Sequence, residues 1–293
     1  MRVHLVDGTY ELFRAHYGRQ PDRTSPAGAD VKATHGIMSS LLGLLDDERE
    51  QVTHLAVAFD NPIESFRNDL YAGYKTSAGM DPALLAQFDL AERAVATLGI
   101  VVWSMDTWEA DDALAAAAVR FAPEVDQVRI MTPDKDLGQV VDDDRVVQVD
   151  RMRDRVFDAS GVLDRLGVAP ASVPDYLALV GDTADGIPGL KGFGAKSAAA
   201  VLARYPHLED IPVDGDWDVE VRGAPRLRET FADEQEQARL WRDLATLRLD
   251  VPLAESLEEL RWQGADRAAL DELCDELGFG SLRDRPRKWR AGG

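Results

Sequence analysis

Three short apolar runs in the first half of this chain each lead into an aspartate. Val3-His4-Leu5-Val6 stops at Asp7, Leu55 to Phe59 stops at Asp60, and the run from Val128 to Met131 reaches Asp134 through Thr132-Pro133. Runs of that length read as buried strands. The spacing predicts strands over Arg2–Val6, Val52–Phe59, Ile100–Trp103, Val125–Met131 and Arg145–Val149. Between them, helical apolar spacing covers Thr9–Tyr17, Val31–Leu45, Leu84–Leu98 and Glu109–Phe121, and Gly18–Ala29 reads as a loop. Alternation of this kind is the signature of an α/β fold with a mostly parallel sheet flanked by helices. Such sheets place ligands outside the carboxyl ends of their strands. Three acids far apart in sequence are therefore expected on one rim, although each taken alone also fits a turn or a helix cap.

After Phe157 the strand patterns end and helical ones take over: Ser160–Leu166, Val173–Val180, Ala195–Tyr205, Glu234–Leu247 and Ala268–Leu277. The expected division is an α/β core over 1–158 and a helical region over 159–293. The latter ends in a basic tail, with Arg283, Arg285, Arg287, Lys288 and Arg290 against Asp284.

Composition matters here through charge. The 293 residues hold 33 basic and 53 acidic side chains, a net of −20, which on its face argues against a nucleic-acid partner and fits plain solubility equally well. The distribution of the acids suggests otherwise. Glu109, Asp111 and Asp112 open an Ala-rich helix, Asp134 and Asp136 stand two apart in TPDKD, and Asp182 and Asp185 stand three apart in GDTADGIPG. With Asp7 and Asp60 that makes nine carboxylates. Two carboxylates about 6 Å apart repel by roughly 3 kcal/mol at an effective dielectric near 20. A domain is held folded by only about 5–15 kcal/mol. Nine converging acids must therefore hold cations or take up protons. The donors are all hard oxygens, which favours Mg²⁺ or Mn²⁺ over Zn²⁺. Two or more such ions suit phosphodiester hydrolysis, where they clamp the attacking and leaving oxygens.

Two further segments point to phosphate. Gly189, Gly192 and Gly194 with Lys191, Lys196 and Ser197 form a Gly-rich turn between two helical patterns. This reads as a hairpin whose backbone N–H groups face a phosphate; it misses the P-loop spacing by one residue. In SFRNDLYAGYK, Arg67 and Lys75 are eight residues apart and, on a helix, would share a face as cations for substrate phosphates. The five histidines show no metal-type spacing, and the single Cys274 forms no internal disulfide. No apolar run reaches membrane-spanning length, and the first residues lack signal-peptide anatomy, so a cytoplasmic protein is expected.

Taken in order, LVDGTYELFRAHY, AFDNPIESFRNDLYAGYK, WEADDALAAA, MTPDKDLGQVV and LVGDTADGIPGLKGFGAKSAAAVL resemble the 5′-nuclease family. That family includes flap endonucleases, phage 5′-exonucleases and the nuclease domain of bacterial DNA polymerase I. The resemblance implies one metal site at Asp7, Asp60, Glu109 and Asp111 with Asp112 beside it, and a neighbouring site at Asp134, Asp136, Asp182 and Asp185. It implies that Arg67 and Lys75 meet the phosphate being cut, in a short helical arch around residues 64–98. It further implies that a helix–hairpin–helix near 173–205 binds the DNA duplex and holds a K⁺ ion. The expected activity is 5′–3′ exonuclease and 5′-flap endonuclease, by a stand-alone monomer acting on flaps, nicks and 5′ ends in replication and repair. Thr76 to Glu92 carries no basic residue where the family usually has several, so the arch is poorly charged. A PIN-type ribonuclease, a non-catalytic DNA-structure binder and a haloacid-dehalogenase-type phosphatase are the competing readings; the last needs an acid where Thr9 stands.

Overall fold

The chain forms six strands: β1 (Arg2–Asp7), β2 (His54–Asp60), β3 (Val101–Met105), β4 (Gln127–Met131), β5 (Val146–Asp150) and β6 (Arg155–Phe157). They make one sheet of order β3-β2-β1-β4-β5-β6. All pairs are parallel except β5 with β6. The computed structural model describes residues 1–290. β2 is buried along its whole length and β1 at all but its first residue. Both faces are covered, which is why these strands read as continuous apolar runs without alternation.

The helices are α1 (Gly8–Tyr17), α2 (Lys32–Asp46), α3 (Arg67–Leu70), α4 (Pro82–Leu85), α5 (Phe88–Thr97), α6 (Ala110–Phe121), α7 (Ala159–Leu166), α8 (Val173–Val180), α9 (Ala195–Arg204), α10 (Ala224–Asp233), α11 (Gln235–Ala245) and α12 (Arg267–Leu277). Val6, Val57 and Phe59 face α1, α2 and α5. Val3, Leu5, Ala56 and Ala58 face α6, whose alanines from Ala113 to Ala118 present only small side chains to the sheet. α8, α9, α10 and α11 enclose a separate apolar cluster around Leu177, Leu179, Phe231 and Trp241.

Several expectations need correction. Leu84–Leu98 is not one helix. It breaks at the buried Gln87, whose Oε1 accepts from the Thr34 N–H and hydroxyl at 3.0 and 3.2 Å, drawing the chain onto α2. Arg67 and Lys75 do not share a helical face, because α3 ends at Leu70 and a turn follows. The segment expected as an arch, 64–98, holds the four-residue α3 and α4 and then α5. α10 escaped the sequence reading because only Leu227 and Phe231 of its residues are buried.

The expected boundary at 158 also fails to describe the packing, because residues 246–290 return to the α/β half. The Leu55 N–H donates to the Leu260 carbonyl and the Trp262 N–H to the Thr53 carbonyl, both at 2.9 Å. The Trp262 indole donates to the Leu98 carbonyl at 2.8 Å, and α12 buries Leu270, Leu273, Cys274 and Leu277 in the cluster of α2 and α5. The basic tail is docked: Arg287 pairs with Asp46 at 2.8 Å, and the Lys288 ammonium donates to the Trp262 carbonyl at 3.1 Å.

Two glycines of α2 have opposite surroundings. A Cβ at Gly36 would lie 2.5 Å from the Ala15 Cβ where α1 crosses, whereas Gly43 faces open space. Gly43→Ala should stabilise the protein by about 0.5–1 kcal/mol through helix propensity. Gly36→Ala should instead destabilise it by about 1–2 kcal/mol, since overpacking outweighs that gain. Urea unfolding of the two variants checks the opposite signs.

Candidate active site

The sheet delivers the acids as its topology dictates. β1 and β2 end in register, with Asp7 opposite Ala58 and Asp60 two residues further along. Asp7 caps α1: its Oδ1 accepts from the Tyr10 N–H at 2.7 Å and its Oδ2 from the Thr132 hydroxyl at 2.9 Å. Asp60 Oδ1 accepts from the Ala110 N–H at 2.7 Å, so the end of β2 holds the first turn of α6 in place. Asp111 follows in that turn. After β4, Asp134 accepts from the Asp136 N–H at 3.0 Å and opens a 3₁₀ turn over Lys135–Val140.

The last two acids come from the helical half. Asp182 and Ile187 exchange backbone hydrogen bonds of 2.8 Å, closing a tight hairpin with Asp185 in its turn. Gly186 has φ of +74°, and a Cβ there would strike the Gly73 carbonyl. That close approach lets the Lys75 N–H donate to the Asp185 carbonyl at 3.0 Å. Asp136, Asp182 and Asp185 offer carboxylate oxygens that all lie within 4.8 Å of one another, close enough to share one ion.

Eight of the nine predicted acids lie close enough to act on a neighbour's charge: Asp7 with Asp60, Asp111 and Asp134, Glu109 with Asp60 and Asp185, and Asp136 with Asp134, Asp182 and Asp185. Burial pushes the Asp7 carboxyl up to about 7, with the Asp60 and Asp134 charges adding to the effect. Burial likewise raises Asp60, Asp111, Asp136 and Asp185, each with help from neighbouring carboxylates. Glu109 departs from this pattern and is held at about 2: burial acts against it, but the Lys75 and Arg67 charges outweigh burial. The Lys75 ammonium lies 2.9 Å from Glu109 Oε2 and 3.3 Å from Asp185 Oδ1, joining the two halves of the cluster.

Asp112 is the exception, and Arg67 goes with it. Asp112 is completely buried. Its Oδ1 accepts from Arg67 Nη2 and the Arg248 N–H, both at 2.8 Å, and its Oδ2 from Arg67 Nη1 at 2.7 Å and the Glu109 N–H at 3.0 Å. Those four bonds use the lone-pair sites of a carboxylate. Asp112 therefore has none left for a metal ion, contrary to the sequence expectation. Arg67 is 1% exposed and spends its remaining donors on the Leu244 carbonyl at 2.7 Å and the Thr246 carbonyl at 3.0 Å. It is thus out of reach of a substrate phosphate and serves to position Glu109 and α6.

The predicted hairpin residues lie where a ligand can reach them. Lys191, Gly192, Gly194 and Lys196 are exposed, and Gly189, with φ of +70°, packs tightly against the end of α8. The Ser197 hydroxyl accepts from the Gly194 N–H at 2.9 Å and caps α9, so it stabilises the turn from within.

Four supporting groups escaped the sequence reading. Ser65 donates to Glu109 Oε1 at 2.6 Å and the Tyr74 hydroxyl to Oε2 at 3.2 Å. Arg165 donates to the Pro133 carbonyl at 2.6 Å, steadying the TPDKD turn. Lys135 pairs with Asp182 and stands 3.6 Å from Asp136 Oδ1. Of these only Lys135 carried a sequence signal, as a cation between two acids.

Removing Arg67 should leave Asp112 buried and uncompensated, at a cost of about 3–5 kcal/mol. Arg67→Ala is therefore expected to lower the unfolding midpoint strongly, as measured by urea denaturation. A carboxyl whose folded pKa is raised stabilises fully below its unfolded value near 3.8, and that stability is lost as pH rises through the folded value. Asp7 places this window near pH 7, with Asp111 and Asp136 raised in the same direction. The buried His4 and His54 and the half-buried His35 have lowered pKa values and act in the opposite sense only below about pH 6.5. In EDTA the melting temperature should thus fall from pH 6.5 to 8.5, and Asp136→Asn should flatten that slope. A level profile in the parent protein would contradict a converged cluster.

The chain matches two family profiles end to end. Residues 2–167 match "5'-3' exonuclease, N-terminal resolvase-like domain" and residues 168–268 match "5'-3' exonuclease, C-terminal SAM fold". It is 33% identical over 281 residues to a 5'-3' exonuclease of Aquifex aeolicus, covering 96% of this chain and 93% of that protein. It is 35% identical over 286 residues to the DNA polymerase I of Mycobacterium leprae, of which it spans 31%. Among solved structures it resembles the bacteriophage T5 D15 flap endonuclease in complex with DNA and metal ions (TM-score 0.62, 18% identity, 97% of this chain and 98% of that one). It also resembles the catalytic core of Rad2 with a DNA substrate (TM-score 0.61, 17% identity, 94% of this chain and 87% of that one). The structures share the fold with this chain, and the Aquifex protein shares both sequence and length. The ribonuclease, phosphatase and non-catalytic readings give way to them: this chain belongs to the 5′-3′ exonuclease family of phosphodiester hydrolases.

Proposed function

We propose that the chain is a divalent-metal-dependent 5′–3′ exonuclease and 5′-flap endonuclease that hydrolyses DNA near single-strand/duplex junctions in replication and repair. The observation that carries this reading is the convergence of eight carboxylates on one rim, with Lys75 bridging Glu109 and Asp185 at 2.9 and 3.3 Å. The residues fit divalent ions. The donors are all oxygens, Asp136 Oδ1 is buried with no hydrogen-bond partner among the described residues, and ammonium groups already stand among the acids. Glu109, expected from the resemblance in the first ligand set, has Oε1 taken by Ser65 and Oε2 by Tyr74 and Lys75, and Asp134, expected in the second set, is a charge neighbour of Asp7 and Asp111, so Asp7, Asp60, Asp111 and Asp134 would hold one side and Asp136, Asp182 and Asp185 the other. When bound, Mg²⁺ or Mn²⁺ lowers the pKa of water and stabilises charge on the phosphate oxygens.

The chain's own groups do the rest. Lys75, three-quarters buried and fixed by Glu109 and Asp185, is placed to offer its ammonium to a non-bridging oxygen of the scissile phosphate. Glu109 stays anionic and holds Lys75 in position. The exposed N–H groups at the start of α9, with Lys191 and Lys196, would grip the duplex backbone without reading bases. A K⁺ ion at that hairpin, action as a monomer and a cytoplasmic location belong to the same proposal. With no basic residue from Thr76 to Glu92, a long 5′ single strand would be held weakly, so recessed and nicked 5′ ends should be cut about as well as long flaps.

The test is single-turnover cleavage of labelled flap, nicked and recessed DNA with Mn²⁺ or with EDTA. Products should arise from the 5′ end and only with metal. Asp111→Asn should lower the rate by at least a hundredfold, and Lys75→Ala by at least tenfold, with duplex affinity retained in both. Lys191→Ala with Lys196→Ala should weaken binding and reduce its salt dependence through lost phosphate contacts. Metal-independent cleavage, or degradation from 3′ ends, would refute the reading.

A further inference from the structure

Lys135 stands in an unusual place for a lysine. Its neighbours in sequence are the acids Asp134 and Asp136, and its ammonium enters a group of carboxylates compact enough to share an ion, Asp136, Asp182 and Asp185. It pairs with Asp182 Oδ2 and lies 3.6 Å from Asp136 Oδ1. Asp182 Oδ1 already accepts from the Ala184 N–H at 2.9 Å, whereas Oδ2 accepts only from Lys135 among the described residues, so Oδ2 is the less committed oxygen for a cation. Asp136 Oδ1 is buried and makes no hydrogen bond. A divalent ion on these three carboxylates would need the oxygens that Lys135 approaches, and it would repel the ammonium at that range. Lys135 is able to leave. Its side chain is 32% exposed, its stem is flexible, and no other hydrogen bond fixes the ammonium among the described residues.

We propose that Lys135 is a tethered cation that occupies the Asp136–Asp182–Asp185 group when metal is absent and must swing out when a divalent ion binds there. It differs from Lys75, which bridges the two halves of the cluster. Two consequences follow from the geometry. Lys135 relieves part of the carboxylate repulsion in the metal-free protein, alongside the partial protonation that the raised acids provide. It also competes with metal, which raises the ion concentration at which this side of the site fills. The released ammonium stays tethered beside the site.

This inference rests on the metal-binding reading above, and the test separates the two. Mn²⁺ binding is measured on the full-length protein without DNA, by electron paramagnetic resonance of the free ion, for the parent, Lys135→Gln and Lys135→Arg. Asp182→Asn, alone and combined with Lys135→Gln, identifies the class of site. Lys135→Gln should tighten Mn²⁺ binding about tenfold and lower the metal-free melting temperature by about 2–4 °C. Lys135→Arg should keep parental affinity, and in the Asp182→Asn background the glutamine should change nothing, because the competed oxygen is gone. Unchanged or weaker Mn²⁺ binding by Lys135→Gln overturns the proposal while leaving the metal site intact. Absence of Mn²⁺ binding in the parent overturns the metal reading itself.

Discussion

Carboxylates brought together by the ends of β1, β2 and β4, the start of α6 and the 182–187 hairpin repel one another, and the surrounding structure is organised around that repulsion. The cluster sits where water is scarce, so the usual remedy of solvation is limited. The fold answers in three ways. It lets several acids drift toward the protonated form, as at Asp7 and Asp111. It spends backbone and side-chain donors on single oxygens, as Ala110 does on Asp60 and Thr132 on Asp7. And it inserts the ammonium groups of Lys75 and Lys135 among the acids. None of these neutralises the cluster fully, which leaves it open to multivalent cations. A net charge of −20 therefore does not exclude a DNA partner: a concentrated share of the excess is reserved for ions that would meet the phosphate first.

A second centre of charge, Arg67 with Asp112, keeps the first in shape. Ion pairs this deep seldom add much stability over an apolar alternative, but this one links parts of the chain that are otherwise separate. Its guanidinium takes the carbonyls of Leu244 and Thr246 at the end of α11, where helical carbonyls lack partners. Its carboxylate partner takes the Glu109 N–H at the start of α6 and the Arg248 N–H. The first turn of α6, which carries Glu109 and Asp111, is thereby tied to the helical half. The two halves of the acid cluster come from those same two parts of the chain, so their relative placement depends on this tie.

The sheet and the gathering of acids were legible because their signals are local. An apolar run ending in Asp survives as a strand ending in Asp, and parallel topology brings such ends together. Residue roles that depend on burial were not legible. Arg67 and Asp112 carry the same residue types as a phosphate-binding cation and a metal ligand, and only the fold shows that their donors and lone pairs are already committed to each other. Gln87 is similar: nothing in its neighbourhood in sequence marks it as the polar residue that binds α2 and interrupts a helix. The basic tail carried no local sign of its role: Lys288 and Arg287 find the Trp262 carbonyl and Asp46, both far off in sequence. Where the outcome turned on a long-range partner, local pattern had no access to it.

The return of residues 246–290 to the α/β half bears on the order in which the molecule is assembled. β2 donates a hydrogen bond from the Leu55 N–H to the Leu260 carbonyl, and α2 and α5 are sealed by α12, elements more than 150 residues later in the chain. Loops that long close slowly relative to local structure. During synthesis, then, the sheet that carries Asp7 and Asp60 emerges early, but the layer of α2 and α5 that covers it is sealed only once α12 has emerged. A product truncated after α9 would carry Asp7, Asp60 and Asp111 on an unfinished scaffold, without the Arg67 anchorage at Leu244 and Thr246 that fixes the start of α6.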